Sequence, residues 1–311
     1  MAQSVRLNSG YDMPILGLGT WLSQPGEVES VLNTALSYGY RLLDCAYEYE
    51  NQREIGAALK KVFAEGKIKR EGVFITSKVW NTFHSYELAR RNVDLILEEF
   101  GIDYVDLCLI HWPTGYQEGG DLFPKQDGKI LNSDVDYLET WKALESKVRE
   151  GKIRSIGLSN FNAKQIQRVI DNCEIRPANL QIELHPYLQN KGLVSYCKSQ
   201  SITVTAYCPL GNPTMSFRKP DDPNILHDGT ISRIAKDHNK TNAQVVLKAL
   251  VQMGVVPIPK SANEKRIKEN FDIWDFNLSE DELKQIEQLD RGLRFLDTSK
   301  RDGDHPHFPW K

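Results

Sequence analysis

Short apolar runs alternate with longer amphipathic stretches along the whole chain, and this alternation constrains the fold more than any other feature. The runs are rich in leucine or β-branched residues and occupy residues 15–19, 41–46, 73–79, 105–112, 153–159, 179–184, 202–207 and 255–259. Most are apolar at both odd and even positions, which is typical of parallel strands buried on both faces. The pattern predicts about eight βα units.

The stretches between the runs have the periodicity of amphipathic helices, because apolar residues recur on one face of each. Three of them end in a glycine that can adopt the left-handed conformation of a helix C-cap, namely Gly39, Gly101 and Gly151. Asn162 is the predicted N-cap of another stretch. These signals place helices between the predicted strands.

Eight βα units without a composition break favour a closed (β/α)8 TIM barrel over a doubly wound sheet. We expect the 311 residues to form one domain, 1–311. Residues 4–16 carry a turn at Asn8-Ser9-Gly10 and predict an N-terminal β-hairpin. Residues 229–239 and 279–290 predict two helices beyond the eight. The tail from Arg291 lacks a period, and we expect a loop over the active-site end of the barrel.

Bulk properties exclude several classes of function. The net charge is -3 and the isoelectric point about 6.2, so the chain has no excess of basic residues for binding nucleic acid. No signal peptide and no apolar run of membrane-spanning length is visible, which predicts no membrane association. The five cysteines lack metal-binding or disulfide spacing and predict reduced thiols in a cytoplasmic protein.

Polar residues end several of the predicted buried strands. Asp44, Lys78 and His111 end three successive runs. Further polar residues at later strand ends are Ser159, Asn160, Gln181, Glu183, Tyr207, Lys260 and Ser261. Because barrel enzymes carry their chemistry at the carboxyl ends of the strands, these residues form the candidate site. For any one of them alone, a buried ion pair or a structural histidine is the simpler interpretation.

The same strand ends resemble those of the aldo-keto reductases. The segments "GYRLLDCAYEYENQREIG", "VFITSKVW", "VDLCLIHWPTG", "GLSNFN", "LQIELHPYLQ", "AYCPLG" and "IPKSANEKRIKENF" follow that family's order and spacing. The resemblance covers nearly the whole chain and is closest to the aldose reductase and aldehyde reductase branch. It implies NADPH-dependent reduction of aldehydes and ketones on a (β/α)8 barrel.

The resemblance also assigns a catalytic tetrad of Asp44, Tyr49, Lys78 and His111. The pattern of residues alone does not choose between Tyr47 and Tyr49 as the acid, and the family spacing selects Tyr49. The chemistry fits these residue types. We expect Lys78 to lower the pKa of Tyr49, since a nearby ammonium favours the phenolate. We expect Asp44 to hold Lys78, and His111 to donate a hydrogen bond to the carbonyl oxygen.

The cofactor is expected after the seventh and eighth strands, where barrels often bind phosphate. No GxGxxG motif follows a strand, so a Rossmann site is unsupported. Lys260, Ser261 and Arg266 suit an adenosine 2′-phosphate, and the helix start near Asn263 suits an anion. Other cofactor contacts implied by the resemblance are Gly19, Thr20, Trp21, Asp44, Ser159, Asn160, Gln181, Tyr207, Pro209, Leu210, Asn212, Glu269 and Asn270.

The substrate pocket is expected to be apolar and aromatic. The resemblance places its lining at Trp21, Glu48, Tyr49, Trp80, His111, Trp112, Phe123 and Phe217. Plain barrel packing is the alternative reading of these aromatic residues. Walls of this kind bind apolar or sugar-derived carbonyl compounds without fine discrimination.

Three residues depart from the pattern of the aldose reductase branch. Leu22 and Thr214 stand where charged partners close over the cofactor, and we expect faster cofactor release here. Glu48 stands where an apolar residue is common. It either enters the pocket and repels acidic substrates, or it points to solvent.

Two other functions stay open at this stage. A non-catalytic relative would keep the barrel and the NADPH site, and a different barrel enzyme would need a metal cluster. His111, Glu183 and His185 are too scattered for a metal site, and we expect structural roles for Glu183 and His185. We expect a monomer acting on a small-molecule aldehyde or ketone, whose identity the sequence does not give.

Overall fold

A computed structural model describes residues 3–212, 218 and 221–311 of the chain. Its strands are β1 (Ser4–Arg6), β2 (Asp12–Pro14), β3 (Leu18–Gly19), β4 (Leu42–Asp44), β5 (Phe74–Val79), β6 (Val105–Ile110), β7 (Lys125–Gln126), β8 (Lys129–Ile130), β9 (Ile153–Ser159), β10 (Asn179–Glu183), β11 (Thr203–Tyr207) and β12 (Val255–Pro257). Its helices are α1 (Val28–Tyr38), α2 (Gln52–Ala64), α3 (Tyr86–Phe100), α4 (Tyr137–Arg149), α5 (Ala163–Asn172), α6 (Lys191–Ser199), α7 (Gly229–Asp237), α8 (Asn242–Gln252), α9 (Glu264–Phe271), α10 (Glu280–Glu287) and α11 (Ser299–Asp302).

Eight strands form one parallel sheet in the order β12-β11-β10-β9-β6-β5-β4-β3. The two ends of this sheet meet, because the N–H of Gly17 donates to the carbonyl of Pro257 (3.0 Å) and the N–H of Gly19 to that of Pro259 (3.1 Å). A Cβ at Gly17 would lie 2.6 Å from Cγ of Leu42, so only glycine lets the strands approach this closely. The structure confirms the predicted (β/α)8 barrel.

Three of the predicted helix ends are also confirmed, whereas the C-cap of α4 is Glu150, one residue before the predicted Gly151. Gly39 and Gly101 adopt left-handed conformations with φ of 110° and 65° after α1 and α3. Asn162 caps α5 in a capping box with Gln165, in which each side chain accepts from the other's backbone N–H. The two helices predicted beyond the eight of the barrel are α7 and α10, and the described residues include one more short helix, α11.

The N-terminal hairpin closes the bottom of the barrel. Strands β1 and β2 pair antiparallel, and the N–H of Gly10 bonds to the carbonyl of Leu7 in the turn between them. Leu7 and Met13 pack there with inward-facing strand residues in one cluster, whose other members are Leu42, Phe74, Leu107, Leu109, Ala178, Val256 and Ile258. A dry apolar floor leaves the opposite end of the barrel for polar chemistry.

The tail from Arg291 runs back over the carboxyl end of the barrel, as expected. Trp310 packs on Trp112 with ring centroids 5.7 Å apart, and the side chain of Asn162 donates to the carbonyl of Pro309 (3.0 Å). The short helix α11 lies within this tail. A second small hairpin, β7–β8, turns at Asp127-Gly128 and was not predicted, although this pair is a common turn sequence.

Candidate active site

The candidate site residues lie directly above the apolar floor because strand side chains alternate between faces. Leu42 belongs to the floor, and Asp44, two residues on, shares its face. Lys78 lies four residues after Phe74, and His111 lies two residues after Leu109, so each also shares a face with a floor residue. Adjacent strands β4, β5 and β6 therefore present one polar layer at the top of the barrel.

Lys78 is the centre of this layer. Its side chain is fully buried, and its Nζ donates to Oδ2 of Asp44 (2.9 Å), to the carbonyl of Cys45 (2.8 Å) and to Oη of Tyr49 (3.1 Å). Three acceptors use the three donors of an ammonium group, so the buried charge is fully hydrogen-bonded. The ammonium also lies 4.9 Å from the centroid of the Tyr49 ring.

Asp44 is held from both sides. Its Oδ1 accepts from Nε2 of Gln181 (2.6 Å), while Oδ2 accepts from Lys78. The backbone carbonyl of Asp44 accepts both the N–H and the hydroxyl of Thr20. Gln181 and Thr20, expected to contact a cofactor, here orient Asp44.

Tyr49 lies on a 3₁₀ turn, Tyr47–Tyr49, that follows β4. The turn ends at Glu50 in a left-handed conformation (φ 54°), which starts the chain toward α2. The turn breaks the alternation of the strand. As a result Tyr49 reaches Lys78, while the ring of Tyr47 packs edge-on against Phe83 at 5.3 Å.

The expected direction of the Tyr49 pKa shift was wrong. Burial raises the pKa of Tyr49 well above its ordinary value of 10.0, and the Asp44 and Glu48 carboxylates raise it further. The direction of the pKa shift therefore follows burial and the nearby carboxylates, and not the ammonium of Lys78, which was expected to lower the pKa. Tyr49 therefore keeps its phenolic proton throughout the neutral range.

His111 is a neutral imidazole. Burial lowers its pKa well below 6.5, and the positive charges of Lys78 and Arg301 lower it further. Its Nδ1 is buried without a hydrogen-bond partner among the described residues, and the residue lines a cavity beside the Tyr49 ring, 5.9 Å between centroids. A neutral imidazole can donate one hydrogen bond but is a poor proton donor at neutral pH.

A polar shelf lies across the barrel from Tyr49. The hydroxyl of Tyr207 donates to Oδ1 of Asn160 (2.8 Å), and Nδ2 of Asn160 donates to the carbonyl of His111 (3.0 Å) and to Oγ of Ser159 (3.2 Å). Asn160 has a left-handed backbone (φ 63°), which aims its amide back over the strand ends. These contacts connect β6, β9 and β11.

A long cleft of about 480 Å³ runs from the tetrad to α9. Twelve of the predicted cofactor residues line it: Gly19, Trp21, Asp44, Tyr207, Pro209, Leu210, Asn212, Lys260, Ser261, Arg266, Glu269 and Asn270. Ser159, Asn160 and Gln181 line the neighbouring cavity instead. Thr20 is buried against Asp44, and Asn263 is the exposed N-cap of α9. A further part of the cleft wall was not predicted, and it is formed by Leu226, Thr241, Asn242 and Ala243. The Thr241–Gln244 capping box marks the start of α8 but gives no sign that the cleft reaches it.

The far end of the cleft is basic. Lys260 and Arg266 are exposed, and neither forms an ion pair with another described residue. Asn263 caps α9 by accepting from the N–H of Arg266 (3.0 Å), and Oγ of Ser261 accepts from the N–H of Asn263 (3.1 Å). Two free cations beside a helix N-terminus make a suitable site for a phosphate group.

A smaller cavity of about 90 Å³ adjoins the cleft at Tyr49, Trp21 and Tyr207. Of the predicted substrate residues, it is lined by Trp21, Glu48, Tyr49, Trp80, His111 and Trp112. Phe123 lies one layer behind, packed on the Trp80 ring at 5.1 Å. Phe217 and Thr214 lie outside the described residues. Leu22 is 48% exposed beside Trp21.

The remaining wall of this cavity comes from the tail, through Leu296, Thr298 and Arg301. No residue of the tail was predicted to line the site, because the tail has no periodicity. Buried Glu183 accepts from the N–H groups of Phe295 (2.6 Å) and Leu296 (3.1 Å), and it also contacts His185 (3.0 Å between Oε1 and Nε2). Glu183 and His185 thus have the structural role expected of them.

No group of three or more histidine, cysteine or acidic side chains could hold a metal ion in the part of the chain that the structure describes. Within the same residues, no helix has both the length and the apolar character needed to span a membrane.

Comparison with known proteins gives matches over the full chain. Residues 15–291 match the model of the Aldo/keto reductase family. The chain is 42% identical to aldo-keto reductase family 1 member A1 of Mus musculus, covering 99% of this chain and 98% of that protein. It is 43% identical to member A1-A of Danio rerio, with 100% and 99% covered. The solved structure of the aldose reductase from Schistosoma japonicum has a TM-score of 0.93 and 43% identity over 99% of both chains.

Proposed function

The chain belongs to the aldo/keto reductase family, whose members are oxidoreductases acting on carbonyl compounds, and from that premise we propose that it reduces aldehydes and ketones with NADPH, using Tyr49 as the proton donor. One observation carries the proposal. Tyr49 borders both the long cleft and the smaller cavity, and its hydroxyl accepts a hydrogen bond from the buried Lys78 ammonium. The group that can deliver a proton therefore lies between two binding spaces.

The long cleft suits a nicotinamide dinucleotide phosphate. The end beside the tetrad has the Tyr207 ring. The other end has Lys260 and Arg266, whose charges lack partners among the described residues. We assign these two cations to the adenosine 2′-phosphate, which favours NADPH over NADH. A Cβ at Gly19 would lie 2.9 Å from the carbonyl of Ile258, so the cleft wall is free of a side chain there. The bound cofactor would supply a hydride to the carbonyl carbon.

The protein's own residues would donate the proton to the carbonyl oxygen and stabilise the negative charge that develops. Tyr49 is protonated at neutral pH, so it can give its proton to the carbonyl oxygen as that oxygen becomes negative. The Lys78 ammonium, 3.1 Å from Oη, stabilises the phenolate left behind. Asp44 holds Lys78 in place, and its own position is fixed by Gln181. Neutral His111 can orient the carbonyl oxygen with one hydrogen bond.

The smaller cavity is the proposed substrate site. Its aromatic walls, Trp21, Trp80 and Trp112, suit an apolar carbonyl compound. We further propose that the enzyme is a cytoplasmic monomer of one domain acting on small molecules. Its five cysteines are free thiols, which agrees with a reducing compartment.

Oxidation of NADPH, followed by absorbance, tests the proposal directly. The purified protein should oxidise NADPH in the presence of small aromatic and aliphatic aldehydes at pH 7, and much more slowly with NADH. The alcohol should appear in equal amount. Binding of NADPH without turnover of any aldehyde or ketone would instead favour a non-catalytic relative.

A further inference from the structure

Glu48 brings a carboxylate into the proposed substrate cavity. The 3₁₀ turn Tyr47–Tyr49 separates three consecutive side chains, so that Tyr49 reaches Lys78, Tyr47 packs on Phe83 and Glu48 lines the cavity wall. The alternative left open from the sequence, in which Glu48 points to solvent, is therefore excluded. Glu48 is partly buried and forms no hydrogen bond or ion pair with any other described residue.

The cations around the cavity already have carboxylate partners. The guanidinium of Arg301 donates from Nε to Oδ1 (2.9 Å) and Oδ2 (3.0 Å) of Asp302, and from Nη2 to Oδ2 (2.8 Å). Asp302 is buried and also accepts from the hydroxyl of Tyr116 (2.7 Å). Lys78 is paired with Asp44. Among the described residues that line the cavity, Glu48 is therefore the ionisable group whose charge has no direct counterion.

We propose that Glu48 determines the charge preference of the substrate cavity, selecting cationic and neutral carbonyl compounds over those that carry a carboxylate. This inference rests on the proposed function, because it concerns which aldehydes the same site reduces. A substrate carboxylate would approach Glu48 in a partly buried space, where like charges repel more strongly than in water. A substrate ammonium would there find the counterion that Glu48 lacks.

The aromatic walls act in the same direction. Trp21, Trp80 and Trp112 border the cavity together with Glu48. The faces of indole rings attract cations, with tryptophan the strongest of the aromatic residues. A quaternary ammonium group, which cannot donate a hydrogen bond, would thus be held by charge and by aromatic contact together.

The preference should change across the neutral range. Burial raises the pKa of Glu48 to about 7, Glu50 on the same turn raises it, and Arg301 from the tail and Lys78 from β5 lower it. The other polar groups that face it are Tyr49, protonated in this range, and neutral His111. The carboxyl is uncharged below this pKa and charged above it, so discrimination against anions should grow from pH 6 to pH 8.

Three para-substituted benzaldehydes of similar shape test the inference. They carry a carboxylate, its neutral methyl ester or a trimethylammonium group. We expect kcat/KM of the wild-type protein at pH 8 to be about tenfold higher for the cation than for the anion. The interaction between two unit charges in a partly buried site can change an affinity by about tenfold or more. At pH 6 the ratio should fall severalfold.

Glu48→Gln should remove most of the pH 8 preference and its pH dependence. Glu50→Gln is the matched control at pH 8, because it removes the same charge from an exposed position next to the same turn and should keep the wild-type ratio at that pH. A wild-type preference for the carboxylate, or a Glu48→Gln ratio equal to that of the wild type, would overturn the inference. The methyl ester distinguishes failure of the proposed function from failure of the role of Glu48. If the ester is not reduced, the proposed function is contradicted. If it is reduced but the anion and the cation react equally well, only the role of Glu48 is contradicted. The pH dependence of the wild-type ratio is a measurement that needs no variant.

Discussion

The Nζ of Lys78 lies 3.1 Å from Oη of Tyr49 and donates a hydrogen bond to it. Because the phenolic oxygen accepts this bond, the tyrosine's own O–H is left to point into the cavity that the residue lines. In the proposed mechanism, the lysine therefore acts on the product of proton transfer, the phenolate, more than on the resting phenol. This relationship underlies the first prediction.

Tyr49→Phe should abolish carbonyl reduction. The variant keeps the ring and its contacts but loses the only proton donor assigned to the site, so we expect kcat to fall by at least about 10³-fold, consistent with the contribution of general acid catalysis. NADPH affinity, measured by quenching of tryptophan fluorescence, should change less than about threefold. Tyr47→Phe is the control, because that ring packs on Phe83 away from the cavity, and it should retain activity. Turnover of Tyr49→Phe near the wild-type rate would refute the assignment.

The pH dependence of the two reaction directions should differ. Since the pKa of Tyr49 is raised above 10.0, the phenol stays protonated and reduction of a neutral aldehyde should not decline between pH 6 and pH 9. Alcohol oxidation needs the phenolate as base, so its rate should rise with pH over the same range, by up to tenfold per unit. Initial rates in both directions on one enzyme preparation measure this. A bell-shaped profile for reduction centred near pH 7 would disagree with a strongly raised pKa.

Preference for NADPH should depend on Lys260 and Arg266. Removing both cations, as Lys260→Ala/Arg266→Ala, should raise the KM for NADPH by about 10²-fold, since each charge-assisted hydrogen bond to phosphate is worth roughly 1.5–3 kcal/mol. The KM for NADH, which lacks the 2′-phosphate, should change little. Lys268→Ala serves as the control, because Lys268 on the same helix lies over the ring of Tyr38. An NADPH-to-NADH ratio unaltered by the double substitution would rule out these cations as the phosphate site.

Glu48 should also make stability depend on pH. Its pKa is raised from 4.5 to about 7 in the folded state, so the native protein binds this proton more tightly than the unfolded chain does. The contribution of Glu48 to the free energy of unfolding therefore falls as pH rises from 4.5 to 7 and is constant at higher pH. Glu48→Gln removes this loss, and we expect its Tm to exceed the wild-type value by about 2–4 °C at pH 8 and to equal it at pH 4. Equal melting temperatures at pH 8 would contradict the raised pKa.

The attachment of the tail should depend on Glu183. Glu183→Gln keeps the size of the side chain but replaces a buried carboxylate that accepts two backbone N–H groups, which weakens both bonds. We expect faster amide hydrogen exchange in residues 295–302 and a severalfold higher KM for aldehydes, with NADPH affinity largely kept. Glu174→Gln, at a position 78% exposed, is the control. Unaltered exchange in the tail would show that other contacts hold it.

Much of the barrel could be predicted because its helix ends and strands depend on local chain geometry, whereas the full tetrad was assigned from the resemblance to a family. Gly39, Gly101 and Asn162 mark helix ends through backbone conformation and capping, which act within a few residues. Asp44 and Lys78 stood out because a charge at the end of a buried run needs a partner. The parity of the strands then placed them on one face.

Other features depend on elements far apart in the chain. The direction of Glu48 depends on where the strand alternation stops, and the sequence gives no sign of the 3₁₀ turn. The sign of the Tyr49 pKa shift depends on burial by several elements together. Arg301 reaches the cavity through a tail whose contacts, such as the N–H groups of Phe295 and Leu296 on Glu183 and Trp310 on Trp112, join residues far apart in the sequence.

Because Glu183 binds backbone groups of the tail, this contact does not depend on the side chains that line the substrate cavity. Glu183 accepts hydrogen bonds from the main-chain N–H groups of residues 295 and 296, and every residue type except proline has such a group. The side chains of Leu296 and Arg301 take no part in these two hydrogen bonds, so they can vary while this part of the tail still docks. Substrate choice can drift, or be redesigned by exchanging the tail among relatives, without disturbing the machinery that transfers the proton.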